Sequence, residues 1–208
     1  MALVLWGRLS SVNVQKVVWC ADELGLDYVR HDVGGAFGGT DTPRYRAMNP
    51  NRLVPVIEDD GFVLTESNAI VRYLAARAGA EALWPVDLRR RADVDRWMEW
   101  QGTEFTPAMH NAFWQLVRAK PEEREAKAIA VSCEKTEKRA AVLDAHLASH
   151  RYLCGDAFTL ADIVNGCAAH RWLNLPAPRE PRPHIERWYA ELKSRPASRQ
   201  VTSLLPLT

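Results

Sequence analysis

The chain has 208 residues, of which 47% are hydrophobic, and its 27 basic and 26 acidic residues give a formal net charge of +1 at pH 7. This length and apolar content are enough to bury a substantial core, and the nearly balanced charge argues against a nucleic-acid partner, which requires a strongly basic surface. No apolar run approaches the ~18 residues of a membrane span, and the apolar start at residues 1–6 is too short for a signal peptide, so we expect a cytoplasmic protein without a membrane partner.

The N-terminal residues have the pattern of a parallel β-α-β unit. Residues 2–6 form a short apolar strand, a loop at residues 7–11 follows, and residues 27–33 return as a second strand. Between the strands, apolar residues spaced three and four apart predict a helix that Gly25 ends: Val14, Val17, Val18 and Ala21. A thioredoxin-like α/β domain begins with such a unit.

A glycine-rich loop, GGAFGGTDTPRY, follows the second strand at residues 34–45. It lacks the G-x-G-x-x-G spacing of a dinucleotide site, and Pro43 stands where a long helix would have to open on the glycines. We therefore predict a flexible loop beside a binding site, not a phosphate-binding loop.

Residues 49–74 carry the densest pattern in the chain. An apolar strand at residues 54–57, the turn pair Asp60-Gly61 and a return strand at residues 62–65 predict a β-hairpin, and a helix begins near Glu66. Pro55 cannot donate to a sheet, so it must lie at a strand start, an edge or a bulge, and it is a candidate for a cis peptide bond.

The N–H groups at the start of that helix suit a carboxylate, and the main chain of Val54 is left available to pair with an extended peptide. On the residues alone, an ordinary hairpin followed by an ordinary capped helix explains the stretch equally well.

The stretch NPNRLVPVIEDDGFVLTESNAIVRYL resembles the N-terminal domain of cytosolic-type glutathione S-transferases, whose motif is roughly N-P-x-G-x-V-P-x-L, then D-G, then E-S-x-A-I-x-x-Y-L. The resemblance implies a thioredoxin-like α/β domain followed by an all-α helical bundle, with glutathione as co-substrate. It implies that Val54, before cis Pro55, pairs with the cysteinyl part of glutathione, and that Glu66 and Ser67 hold the γ-glutamyl group.

The chain departs from the motif at two neighbouring positions. Arg52 replaces the usual glycine, and Leu53 occupies a position that is often a polar, ligand-contacting residue. The resemblance therefore leaves the contact to the glycine carboxylate of glutathione unassigned.

The segment GRLSSVNVQKVVW resembles the thiol-binding loop of the serine or asparagine variants of the family, as in bacterial theta- and nu-like classes. Ser11 and Asn13 are then the candidates that stabilise the thiolate, with Ser10 in reserve and Lys16 as the basic residue of the motif. Plain N-capping of the helix would select the same residue types. The loop contains no cysteine, which argues against mixed-disulfide chemistry on an enzyme thiol.

We divide the chain into a glutathione-binding domain at residues 1–78, a linker at 79–87 and a helical domain at 88–208. Pro107 is expected to kink or end the first long helical segment. A sustained apolar seam predicts a later helix of the bundle: Ala126, Ile129, Cys133, Thr136, Ala140, Leu143 and Leu147.

Several further residues have structural interpretations. Thr159 and Asp162 match a capping box, so we assign Asp162 a structural role. His146 and His150 have no third ligand and are predicted to face solvent, so no metal is expected. The four cysteines are predicted to be buried, reduced thiols: Cys20, Cys133, Cys154 and Cys167.

We expect the electrophile pocket to be apolar and to lie against the second domain, with these candidates: Phe37 as a lid residue, Met109, Phe113 and Trp114. The predicted activity is addition of glutathione to an apolar electrophile. Two alternatives are a glutathione-dependent disulfide or peroxide reductase and a non-catalytic binding module of the same fold. The resemblance also implies a homodimer, for which Trp97 and Trp100 are either interface or bundle core.

Overall fold

The structure is a computed structural model that describes residues 3–207. Its N-terminal part contains the strands β1 (Leu3–Trp6), β2 (Tyr28–His31), β3 (Val56–Asp59) and β4 (Phe62–Thr65). They form one sheet in the order β2-β1-β3-β4, in which β1 and β2 are parallel and the other two pairs are antiparallel. This mixed sheet confirms the predicted thioredoxin-like domain.

Three helices pack with this sheet: α1 (Val12–Glu23), α2 (Pro43–Met48) and α3 (Ser67–Arg77). The hairpin between β3 and β4 turns at Asp60 and Gly61, whose φ angles are 50° and 86°. Positive φ at both central residues is what a tight hairpin turn of type I′ requires. The turn brings the end of β4 directly to the start of α3.

The second part of the chain contains the helices α4 (Leu88–Trp100), α5 (Thr106–Phe113), α6 (Ala126–Leu147), α7 (Leu160–Leu173), α8 (Pro183–Lys193) and α9 (Arg199–Thr202). A widened helical turn at Gln101–Phe105 joins α4 to α5. Pro107 has no N–H to donate to the Thr103 carbonyl, so the helix loses a regular bond at this point. Within residues 3–207, none of the helices combines the length and the apolar character needed to cross a membrane.

The core is continuous between the two parts because α1 packs directly on α7. Trp19 of α1 is fully buried, and Gly166 of α7 lies against its ring. A Cβ atom placed on Gly166 would come within 3.0 Å of Trp19 and 2.8 Å of Leu192. Glycine at this position therefore permits the close approach of the two helices.

The start of α7 is fixed by the predicted capping box. Oδ2 of Asp162 accepts from the Thr159 N–H at 2.9 Å, and Oδ1 accepts from the Leu153 N–H at 3.0 Å and from Nε1 of Trp188 at 2.9 Å. Burial raises the pKa of Asp162 to about 6, and these hydrogen bonds oppose the rise. The carboxylate thus ties α7 to α8 and to the preceding loop, as its predicted structural role requires.

Two further predictions were wrong in detail. His146 and His150 do not face solvent freely: both are half-buried, their rings stack at 4.1 Å, and Nε2 of His146 lies 2.9 Å from the Leu153 carbonyl. Only two of the cysteines, Cys20 and Cys167, are buried, whereas the other two are half-buried. A helix end at residue 147 leaves the histidines at the rim of the core, which the spacing of four could not show.

Trp97 and Trp100 belong to the bundle. Trp97 is 3% exposed, and its carbonyl accepts a hydrogen bond from Nδ2 of Asn165 in α7 at 3.0 Å. The half-buried Trp100 packs edge-on against Trp97, with ring centroids 5.3 Å apart. Trp97 is therefore a core residue of the bundle, and Trp100 packs against the core while remaining partly exposed.

Candidate active site

The start of α1 is the centre of the candidate site. Ser11 is the N-cap residue, and its carbonyl accepts the first helical hydrogen bond, from the Gln15 N–H at 2.9 Å. Within the described residues its hydroxyl makes no capping hydrogen bond. The hydroxyl and the N–H groups of the first turn are therefore available to a ligand, and the helix dipole favours a negative charge here.

Ser11 and Asn13 line one cavity of about 460 Å³, which we call the arginine cavity. It is lined by residues of both domains: Arg8, Ser11, Val12, Asn13, Gly34, Gly35, Thr40, Arg52, Leu53, Val54, Thr106, His110, Phe113, Trp114, Arg118 and Arg171. Ser10 lies elsewhere, in a separate small pocket that includes Gln15 and Leu204. The structure thus brings Ser11 and Asn13 together and places Ser10 apart from them.

A second cavity of about 410 Å³ contains Glu66 and Ser67, and we call it the Glu66 cavity. Asn13 and Thr106 line this cavity as well as the arginine cavity, so the two are adjacent. The two residues assigned to the γ-glutamyl group and the candidate thiol-binding residues therefore lie on one continuous surface. This surface crosses the start of α1.

The main chain before β3 has the geometry expected of a peptide-binding edge. The Val54–Pro55 peptide bond is cis, and the Val54 N–H and C=O form no hydrogen bond with residues 3–207. The neighbouring Leu53 carbonyl is already occupied by the Tyr45 hydroxyl at 2.8 Å and by Nδ2 of Asn49 at 2.9 Å. These two bonds hold the segment so that the Val54 main chain remains available.

Glu66 caps α3 in an unusual conformation. Its φ of 67° lies in the left-handed region, which is uncommon for a residue other than glycine. Glu66 is exposed, Ser67 is buried beside it, and the Ile70 N–H donates to the Glu66 carbonyl at 2.9 Å. Such outliers cluster at ligand sites, and this one turns the chain so that both side chains line the same cavity.

Lys16 is a buried cation at the floor of the Glu66 cavity. It is 3% exposed, and its Nζ donates to Oδ1 of Asn68 at 3.3 Å. Burial lowers the pKa of Lys16 to about 8. Nδ2 of Asn68 donates to the Met98 carbonyl at 3.1 Å, so this polar chain connects α1, α3 and α4 beneath the site.

Arg52 has a φ of 57°, which explains why the family motif has glycine at this position. Its guanidinium pairs with Asp41 at 2.8 Å. Hydrogen bonds from Arg52 and Arg46 lower the pKa of the Asp41 carboxyl. Arg52 therefore contributes to the rim of the arginine cavity while already having an acidic partner.

The four predicted pocket residues have different positions. Phe113 and Trp114 line the arginine cavity. Phe37 is 59% exposed in the glycine-rich loop and is not among the lining residues, although its neighbours Gly34 and Gly35 are. Met109 has no exposed surface and is part of the core, which corrects its assignment to the pocket.

The residues that sequence reasoning missed are three basic ones: Arg8, Arg118 and Arg171. They lie on three separate elements far apart along the chain, and no local motif connects them. The predicted pocket was apolar, whereas the observed cavity combines two aromatic side chains with a cluster of guanidinium groups.

Two family models match the chain. The "Glutathione S-transferase, N-terminal domain" model covers residues 10–77 and the "Glutathione S-transferase, C-terminal domain" model covers residues 105–196. The chain belongs to the glutathione S-transferase family. This membership confirms the resemblance found in residues 49–74 and the two-part fold.

Relatives of this glutathione S-transferase match it over nearly the whole length. Glutathione S-transferase GstB of Escherichia coli K12 is 41% identical over 97% of this chain and 98% of its own. Glutathione S-transferase 3 of Zea mays is 34% identical over 99% of this chain and 95% of its own. The crystal structure of the theta class glutathione S-transferase of Xanthomonas axonopodis pv. citri with glutathione bound has a TM-score of 0.95 at 44% identity, covering 100% of this chain and 99% of that chain.

Proposed function

We propose that this glutathione transferase binds glutathione across the two adjacent cavities and stabilises its thiolate at the start of α1. The γ-glutamyl group lies in the Glu66 cavity against Glu66 and Ser67, and the cysteinyl main chain pairs with Val54. The sulfur then lies near Ser11 and Asn13, where a hydroxyl, an amide and first-turn N–H groups converge.

The observation that carries this proposal is the shared position of Asn13. It borders both the cavity of the γ-glutamyl residues and the cavity that contains Val54 and Ser11. A single extended ligand can therefore reach all the residues that the family motif assigns. The glutathione-bound Xanthomonas axonopodis structure, which matches this chain over its whole length, adds support from a related protein.

The chemistry follows from the acidity of a thiol. An unperturbed thiol has a pKa near ~8.5, so only a few per cent is thiolate at neutral pH. Donors fixed around the sulfur lower that pKa and hold the nucleophile in the arginine cavity, beside Phe113 and Trp114. The thiolate attacks an electrophilic carbon, a C–S bond forms, and the leaving group departs with its electron pair.

The direct test is binding and turnover with the whole protein. Calorimetry with glutathione should show binding at millimolar or lower concentration, and an aryl chloride such as 1-chloro-2,4-dinitrobenzene should be conjugated faster than in the absence of protein. Absence of both would indicate a binding module without transferase activity.

The reductase alternative receives little support from the thiols. Cys20 and Cys167 are buried, and none of the four cysteines, all of which are described, lines the arginine cavity or the Glu66 cavity. Burial raises the pKa of Cys167 to about 12. A mixed disulfide on this chain is therefore not the chemistry we propose.

We further propose a homodimer in the cytoplasm. Apolar side chains at the hairpin and around the start of α4 are exposed in the single chain: Phe62 and Val63 on β4, and Val86 and Leu88. Burying them against a second copy would remove apolar surface from water. Sedimentation at micromolar concentration should show a dimer, and a monomer would exclude this part of the proposal.

A further inference from the structure

Besides Arg52 at the rim, three arginine side chains line the arginine cavity from separate parts of the chain: Arg8 after β1, Arg118 after α5, and Arg171 in α7. No aspartate or glutamate is among the described residues that line this cavity. The cavity therefore has a concentrated positive charge in a protein whose net charge is only +1.

Arg171 is buried at the wall of the cavity and packs on an aromatic ring. It is 7% exposed, and its guanidinium carbon lies 3.7 Å from the centroid of the Phe113 ring. The guanidinium of Arg118 lies 5.0 Å from the same centroid. Burial, together with the positive charges of Arg118 and Arg8, lowers the pKa of Arg171 to about 9. Within residues 3–207 the Arg171 side chain has no salt bridge and no hydrogen bond.

Arg8 is positioned by the glycine-rich loop. A Cβ on Gly34 would come within 2.8 Å of an Arg8 guanidinium nitrogen, and a Cβ on Gly35 within 2.9 Å. The two glycines therefore leave the space in which this side chain lies. The Arg8 side chain likewise has no salt bridge or hydrogen bond to residues 3–207. This packing gives the glycine-rich loop a structural role that its sequence did not reveal.

Guanidinium groups held together in a partly buried site repel one another and have lost part of their hydration. An anion that enters the site relieves both costs. A carboxylate matches the planar donor fork of arginine and accepts two parallel hydrogen bonds from it. The cavity is thus suited to an anionic group next to the exposed aromatic ring of Trp114.

We propose that the electrophile conjugated by this enzyme carries a carboxylate, which Arg8 and Arg171 bind while its apolar body packs on the exposed ring of Trp114. This proposal rests on the proposed function and replaces the purely apolar electrophile expected from the sequence. Arg52, already paired with Asp41, is left to the glutathione end of the cavity.

A suitable probe pair is 4-chloro-3-nitrobenzoate and 4-chloro-3-nitrobenzamide. In both, the glutathione thiolate attacks the carbon that bears chlorine, the new C–S bond forms, and chloride leaves with the bonding electrons. The thiol proton passes to solvent. The two glutathione conjugates differ only in having a carboxylate or a carboxamide on the ring. The carboxylates of glutathione itself therefore contribute equally to the binding of both conjugates.

Calorimetry with the two conjugates tests the proposal without any turnover. The carboxylate conjugate should bind about tenfold more tightly, the smaller effect expected of hydrogen bonds to a charged group. Its advantage should weaken as salt is added. In Arg8→Met and in Arg171→Met the advantage should be lost, whereas Arg89→Met, an exposed change on α4, should leave it intact. Equal binding of the two conjugates by the unmodified protein would overturn the proposal.

Turnover separates this proposal from the proposed function. Rates with the two chlorides, each divided by its uncatalysed rate, should favour the benzoate by about tenfold. If neither chloride is converted but the carboxylate conjugate still binds more tightly, the result refutes the transferase function and supports the anion site. If both are converted equally and bind equally, the function stands and the anion site fails. Should Arg171→Met not fold, the loss or retention of the carboxylate preference in Arg8→Met tests whether the arginines bind the carboxylate.

Discussion

Removal of the Ser11 hydroxyl should raise the pKa of bound glutathione. The hydroxyl has no capping bond among the described residues, so all of its donor capacity is available to the thiolate. A hydrogen bond to a charged group contributes about 1.5–3 kcal/mol, and one pKa unit corresponds to about 1.36 kcal/mol. In Ser11→Ala the thiol pKa should therefore rise by about 1–2 units.

The effect on rate should change sign with pH. Well below both pKa values the variant has about 10–100-fold less thiolate, but its thiolate is more basic and more nucleophilic, with a Brønsted slope of about 0.4–0.5. The net loss there is about 3–10-fold. Above about pH 9, where the thiol is mostly ionised in both proteins, the variant should be as fast or faster.

The assay is a titration of bound glutathione by the ultraviolet absorbance of its thiolate, together with a pH profile of conjugation. Ser10→Ala is the matched control because Ser10 lines a different pocket. Stability should fall by less than the ~1 kcal/mol of a normal N-cap replacement, since no capping bond is lost. An unchanged thiol pKa in Ser11→Ala, or a rate loss that is uniform with pH, would refute the role of the hydroxyl.

Three further substitutions test the structure elsewhere. Arg52→Gly should stabilise the fold by about 0.5–1 kcal/mol, because glycine adopts φ of 57° without strain, and a lower melting temperature would contradict this. Gly166→Ala should destabilise the fold by about 1–3 kcal/mol through the clash with Trp19, as measured by denaturant unfolding. The exposed control is Gly79→Ala, whose added Cβ meets no atom within 4 Å, so any loss of stability there comes from the positive φ of residue 79. Asp162→Asn should lower the melting temperature by several degrees, because at least one of the buried N–H groups that donate to the carboxylate loses its acceptor. A shift below about 1 °C would argue against a stabilising role of the capping box.

Local sequence pattern was sufficient for the parts of the site that lie within one element or one hairpin. One short stretch of sequence contains the strand, the turn pair Asp60-Gly61 and the helix start at Glu66. The placement of Glu66 and Ser67 in one cavity therefore follows from the hairpin geometry. The same holds for Ser11 and Asn13, which share the first turn of one helix. Their roles toward glutathione stay predictions.

The electrophile side of the site was not predictable in this way. Met109 and Phe113 are four residues apart and share a face of α5, yet Met109 is covered by the core, whereas Phe113 reaches the cavity. Trp114 and Arg118, at the two ends of the widened turn that follows α5, also line this cavity. The arginines come together only because α7 packs on α1, and the sequence of neither helix by itself predicts that packing.

The packing of Gly166 on Trp19 has a consequence for how the chain can be divided. The helix that presents Ser11 is supported on its inner face by a residue that lies beyond the linker, and Trp19 has no exposed surface in the intact protein. A fragment that stops at residue 78 would expose the Trp19 indole to water, and α1 would lose its contact with α7. The proposed thiol activation would in this sense be a property of the complete polypeptide, although Ser11 and Asn13, the residues proposed to perform it, both lie at the start of α1.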